Sequence, residues 1–317
     1  MTLQAAHAAL QLSGHLRDTC HSMQSHGAAN LALQKLNKTV SGCRSSFVLC
    51  DVFIHTWSLL HPGTPTWHSH VPSFCDKIGC RDPDDAISHS MSSSSCLQTI
   101  SDLLLPTAVI VEEQPTNPAH VVPALGNHTW AQMGRNLSHT VSLAGVRAAI
   151  HGVAAAAALR QQHELFRDRP YDMVIRLRPD LHRYGVHSLQ PDCWDQLLKG
   201  VRNGRRAVYA CGTAELGNKN TDSCFWGAAT AMDALTAAWD GIATREMQRN
   251  ICLGRYEVSR SINHHTRAHC GGVATGAEGT DLHIPQSAEE LLALAVRRAN
   301  VTSVGSKDWM RPFARER

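Results

Sequence analysis

The chain has 317 residues, 43% hydrophobic and 18% charged, with a net charge of +3. That apolar content excludes a disordered chain, and basic residues cluster only at Arg202, Arg205 and Arg206, so no nucleic-acid partner is expected. No apolar run reaches the length of about 18 residues that a membrane-spanning helix needs.

The opening "MTLQAAHAAL" lacks the charged start and long apolar stretch of a signal peptide. Two features point the other way. Eleven cysteines are many for a cytosolic protein, and Asn-x-Ser/Thr acceptors stand at Asn37, Asn127, Asn136 and Asn300. The compartment stays open between the secretory lumen, if an anchor is missing from the chain, and the cytoplasm.

Residues 8–13, "AALQLS", read as a short buried strand followed by the turn "GHLRD". Helical spacing follows over residues 19–36, with Asp18 or Thr19 as N-cap. A second strand runs from Phe47 to Ile54, apolar except at Cys50 and Asp51, as buried parallel strands tend to be. Residues 61–95 are rich in Pro, Ser, Gly and His and too long for an ordinary connection, so they read as a loop insertion. "CLQTISDLLL" reads as a short helix and Thr107–Val111 as a third strand, closed by Glu112 and Glu113.

A polar loop to about residue 140 precedes an Ala- and Leu-rich helix over residues 142–166. "YDMVIRLRPDL" is strand four, residues 205–212 strand five and residues 223–227 strand six. "ATAMDALTAAWDGIA" then forms a helix, and residues 287–300 a last one, with Ser287 and Glu290 in capping-box spacing. Strands alternating with helices predict an α/β fold with a mainly parallel central sheet. One domain over residues 1–317 is expected, with residues 301–317 as a flexible tail.

Strand four carries the sharpest chemical signal. Side chains alternate along a strand, so Arg176 and Arg178 share one face while Met173, Ile175 and Leu177 take the other. Pro179 removes a ladder donor and ends the pairing, which holds Asp180 beyond the carboxyl edge, where open α/β sheets bind ligands. Guanidinium forks match phosphate oxygens, and the carboxylate suits a divalent metal or a sugar hydroxyl. Arg176 also fits a second role, bracing the sheet by pairing with Asp172 or Glu113.

After strand one, Ser13, Gly14 and Arg17 reach the same edge, where Gly14 allows close backbone approach to an anion. Neither GxGxxG nor GxxxxGK[ST] is present, which excludes the usual dinucleotide and P-loop sites. Asp222 stands before Phe225 and Trp226, an acid that can take a proton from an acceptor hydroxyl beside an aromatic face suited to a sugar ring. Glu257 is the second candidate base. The 20 histidines match neither HExxH nor a paired CxxC framework, and read as compositional bias rather than a metal site.

The succession "SGHLRD", "DVFIHTW", "YDMVIRLRPDL" and "D-x-x-F-W-G…MD" resembles a family of bacterial, viral and algal glycosyltransferase-like proteins, over about residues 8–260. The resemblance implies a GT-A-like fold, a nucleotide-sugar donor and a glycan or glycoprotein acceptor. It implies donor contacts from Ser13, Gly14, Arg17, Arg176, Arg178 and Asp180, catalysis by Asp222 or Glu257, and acceptor contact at Trp226. Enzymes of that fold commonly hold Mg²⁺ or Mn²⁺ on an Asp-x-Asp motif. Here the strand end reads Arg178-Pro179-Asp180, a single acid, so Asp180 is the sole metal ligand expected and arginines are the alternative counter-charge to the diphosphate.

Overall fold

A computed structural model describes residues 6–14, 28–59, 94–113, 131–133, 140–141, 143–179, 191–204, 206–210, 224–252, 256–257 and 288–304. In chain order the elements are β1 (His7–Ser13), α1 (Ala28–Ser46), β2 (Leu49–Leu59), α2 (Ser94–Leu104), β3 (Ala108–Glu113), β4 (Ala131–Met133) and β5 (Thr140–Val141). They continue with α3 (Leu143–Arg167), β6 (Met173–Leu177), α4 (Pro191–Asn203), β7 (Ala207–Ala210) and β8 (Cys224–Gly227). The last are α5 (Ala229–Cys252), β9 (Tyr256–Glu257), α6 (Ala288–Ala299) and β10 (Thr302–Val304).

Seven strands form one mixed sheet in the order β3-β2-β1-β6-β8-β7-β10. All neighbouring pairs are parallel except those of β8, which runs antiparallel to both β6 and β7. The expected α/β class with a mainly parallel sheet is therefore present. A second sheet, β5-β4-β9, was not anticipated: β4 falls in the expected polar loop, β5 at its end, and β9 in a stretch for which no element was expected.

Helices cover both faces, and the alternation along each strand divides the core in two. On one face Ala9, Phe53, Val174, Val208 and Phe225 pack against α3, α5 and α6. On the other, Leu10, Val52, Ile175, Tyr209 and Trp226 pack against α1, α2 and α4. A strand covered on both faces tends to be apolar on both, which is why β1 and β6 read as mostly apolar runs interrupted by the buried polar residues His7, Gln11, Ser13 and Arg176. Edge strand β3 is the exception: Val109 and Val111 stay exposed while Ala108, Ile110 and Glu112 turn inward.

Several boundaries differ from expectation. Of the helix expected over 19–36, residues 28–36 are helical and residues 19–27 lie outside the described residues; helix α1 continues to Ser46, with Leu33, Leu36, Val40 and Cys43 reaching the core. Its end is tied to β2 by a Cys43–Cys50 disulfide, and Cys224 is disulfide-bonded too. Helix α4 was not anticipated; its Trp194, Leu197, Leu198 and Val201 lie on one side, a pattern diluted in the sequence by charged neighbours. Residues 302–304, expected in a flexible tail, pair with β7 as an edge strand. The expected insertion at 61–95 lies outside the described residues except for its last two, which begin α2.

Two polar clusters fix α3 to the sheet and to α5. Arg160, 0% exposed, holds Glu164 on its own helix and Asp233 on α5. At the amino end of the sheet, Asp51 accepts from the Tyr171 hydroxyl at 2.5 Å, from Thr107 at 2.8 Å and from Arg167 at 3.3 Å. Arg167 also donates to His7 Nδ1 at 2.6 Å, so His7 is neutral in this arrangement. Burial, reinforced by Arg169 and Arg167, lowers the His7 pKa, and burial raises that of the Tyr171 phenol. The acid inside an apolar strand is thus explained as an anchor.

Arg160→Ala leaves two carboxylates facing each other and is expected to lower the unfolding free energy by about 3 kcal/mol in urea titrations. That is the low end for a buried pair, because Asp233 keeps some access to water. His7 supplies a pH effect with a definite sign. Its folded-state pKa lies below the ordinary 6.5, so the unfolded chain binds the proton first as pH falls. Stability is expected to drop as pH is lowered through 6.5 toward the folded value, and His7→Gln is expected to make that drop shallower.

Candidate functional site

Strand β1 is the centre of the topology: β2 and β3 are added on one side, and the chain then returns to place β6 on the other. The reversal makes a switch point between the carboxyl ends of β1 and β6, the position at which open α/β sheets in general form a ligand-binding crevice. Ser13 and Gly14 end one strand, and Arg178 and Pro179 follow the other. Gly14 has φ of +135°, a conformation that side chains rarely adopt, and a Cβ there would stand 3.4 Å from Pro179 Cδ. The two strand ends meet at this glycine. Its amide donates to the His55 carbonyl at 3.3 Å, which ties the end of β2 to the same place.

Arg176 lies on the α3 face, 3% exposed, with Nε donating to Ser13 Oγ at 3.1 Å and its guanidinium 5.5 Å from the Phe225 ring centre. Ser13 and Arg176, two expected ligand contacts, are thus partners of one another. Arg176 is a fixed internal cation rather than a surface group. Arg178 is partly exposed and also engaged by other groups. Trp226 stands on the opposite face, 3% exposed and stacked on Tyr209 at 5.6 Å. That corrects its expected role: a ring almost fully enclosed in the core on that face has no open face to offer an acceptor sugar.

Arg17, Asp180 and Asp222 lie outside the described residues. Cys224, two positions after Asp222, pairs with Leu177 at the carboxyl end of β6. Glu257 belongs to β9 and pairs with Gln132 in the small sheet rather than at the main sheet edge.

The structure also assembles a group that sequence reasoning dismissed. In parallel register, Ser13 pairs with His55 and Trp57 with Glu112, so these side chains stand in adjacent rows at the carboxyl edge. The Glu112 Oε2 atom receives His55 Nε2 from β2 and His151 Nε2 from α3, both at 2.9 Å. The His55 side chain is 0% exposed, while Glu112 and His151 are 38% and 43% exposed. Trp57 closes one side, its ring 4.8 Å from that of His55 and 5.8 Å from that of His151. Helix α3 can come this close because residue 152 is glycine: a Cβ there would lie 2.8 Å from His55 Nδ1.

Burial lowers the His55 pKa, an effect that hydrogen bonding to Glu112 only partly offsets. Burial alone would raise the Glu112 carboxyl, but the hydrogen bonds from His55 and His151 outweigh it and hold the pKa below the usual range. The state favoured is an ionised Glu112 beside a neutral His55. The three residues are separated by 57 and 39 positions, so no local motif announces them. The one available signal was His55 within "DVFIHTW", a histidine inside an otherwise apolar strand. Two further buried atoms, Gln11 Nε2 on β1 and Thr56 Oγ1 on β2, have no hydrogen-bond partner among the described residues.

Compared with protein-family models, curated proteins and solved structures, the chain finds no match.

Both glycines in this region should resist substitution. Gly14→Ala is expected to cost about 1–3 kcal/mol through backbone strain, and Gly152→Ala about 1–3 kcal/mol through overpacking against His55. Gly241→Ala, mid-helix with only the flexible Arg245 side chain nearby, serves as the control and should be neutral or stabilising. Chemical denaturation of the three variants measures the contrast.

Proposed function

We propose that the chain is a glycosyltransferase of GT-A type, moving a sugar from a nucleotide-diphosphate donor to a glycan or protein-linked acceptor. The observation that carries this reading is the switch point itself. The carboxyl ends of β1 and β6 meet through Gly14 and Pro179, with Arg178 at the rim and Arg176 fixed behind. Open α/β sheets take ligands at such a crevice, and its two guanidinium groups favour a polyanion.

In this reading Arg178, with Arg17, contacts the diphosphate, while Arg176 acts through its field. A cation fixed in a low-dielectric interior stabilises charge on a leaving group without reorganising. Asp180 orients the donor sugar. Asp222 takes the proton of the acceptor hydroxyl as that oxygen attacks the anomeric carbon. The bond from that carbon to the diphosphate oxygen breaks, and its electron pair leaves with the nucleotide. Glu257 is the reserve candidate for the base.

Mg²⁺ and Mn²⁺ prefer oxygen-rich sets, and the strand end supplies the single acid Asp180. Among the described residues, the group of three metal-ligating side chains lies at His55, Glu112 and His151, where two imidazoles do not suit a hard cation. The diphosphate charge therefore falls to the arginines. No helix among the described residues is long and apolar enough to cross a membrane. The Cys43–Cys50 disulfide suits an oxidising compartment such as the secretory lumen.

The burial of Arg176 and Trp226 favours a second reading, a glycan- or nucleotide-binding protein of the same fold that performs no transfer. One panel separates the two. Nucleotide diphosphates and nucleotide sugars are screened by thermal shift, and nucleotide release is followed for those that bind. Arg178→Ala is expected to weaken donor binding roughly tenfold or more, the value of one charge-assisted contact. Asp222→Asn is expected to keep binding and lose transfer. Binding without turnover in the wild type would select the second reading, and no shift with any nucleotide would reject the transferase and the nucleotide-binding form of the second reading.

A further inference from the structure

The geometry points to a binding site for a divalent transition metal, held by His55 Nε2, a Glu112 carboxylate oxygen and His151 Nε2. The site is distinct from the expected cation position at Asp180 and does not depend on the nucleotide-sugar reading. Each of the three residues offers one ligand atom, and these atoms all lie within 4.8 Å of one another. Around a tetrahedral ion with bonds of about 2.0–2.1 Å, ligand atoms stand roughly 3.3 Å apart. The two 2.9 Å contacts to Glu112 therefore need to open by a few tenths of an ångström, while the separation between the two histidine nitrogens, within 4.8 Å, closes toward the same value.

Chemistry selects the class of ion. Two imidazoles and one carboxylate make the donor set of catalytic Zn²⁺ sites and of the facial triad that holds Fe²⁺, and both keep positions open for water or substrate. Mg²⁺ and Ca²⁺ prefer oxygen donors and are disfavoured. Access and rigidity differ across the three in the way such a site requires. His55 is enclosed by Trp57 and by the helix at Gly152, which fixes its ring. Glu112 and His151 stay partly exposed, leaving a route for the ion and its remaining ligands. Ser13, the register neighbour of His55, anchors Arg176, so strand β1 would stand between a metal here and that residue.

The test uses the full chain, stripped with a chelator and dialysed against Zn²⁺, with metal content and melting temperature measured for wild type, Glu112→Gln and His151→Ala. Both altered positions are partly exposed, which keeps the variants foldable; melting without metal checks that each is folded. With 20 histidines and 11 cysteines in the chain, the informative quantity is the difference between wild type and variants. One tightly held equivalent is expected in the wild type, with a higher melting temperature in Zn²⁺ and no rise in Mg²⁺. Each variant is expected to bind at least tenfold more weakly. Co²⁺ in place of Zn²⁺ should give the intense visible absorption of a low-coordinate site, lost in both variants. Absence of the bound equivalent from the wild type, or its retention in both variants, overturns the assignment.

Discussion

Strand β1 is hydrogen-bonded to β2 on one side and β6 on the other, and helices cover both its faces. All seven of its residues are buried. That constraint organises the rest. Small side chains at Ala8 and Ala9 let helices approach, while the polar residues His7, Gln11 and Ser13 are carried into the interior on a single face. His7 and Ser13 there meet arginines, Arg167 and Arg176. In a low-dielectric interior such contacts determine which arrangement is tolerated, because an unmatched polar group costs far more there than in water.

The parallel register then produces the functional edge. Paired residues of neighbouring parallel strands point the same way, so Arg176, Ser13, His55 and Glu112 share one face of the sheet at its carboxyl edge, Ser13 and His55 as register partners and the other two reaching them from adjacent rows. Helix α3 lays His151 over the far end of that edge and leaves space at Gly152 for the histidine beneath. One end of the edge is cationic, and the other gathers two imidazoles about a carboxylate. The amino end of the same sheet is different in kind: there Asp51 is satisfied by Tyr171, Thr107 and Arg167, an arrangement that anchors α3 and leaves the acid enclosed.

Sheet and helices give the two cations near β6 different roles although the sequence presents them as equivalents. Arg176 and Arg178 share a face by alternation, yet only the first remains within the ladder, where it lies over Phe225 and takes the Ser13 hydroxyl. The second stands past the last pair, beside the proline that ended the strand, and keeps contact with solvent. A similar division separates Phe225 from Trp226: adjacent in the chain, they enter opposite cores, one beneath a guanidinium and the other against Tyr209.

The pattern of apolar runs and helical periods by itself determined the α/β class, the parallel central strands and the strand end at Pro179, because those follow from local hydrophobicity and from the chemistry of proline. Helix α4 and the edge strand β10 were not legible, since their apolar residues gain meaning only against surfaces built by distant segments. The antiparallel course of β8 was equally hidden, for direction depends on where a connection crosses, not on the strand's own residues. Only the tertiary structure brought His55, Glu112 and His151 together and enclosed Trp226 in the core. Register between strands and the seating of a helix at one glycine decide those contacts, and neither is written in local spacing.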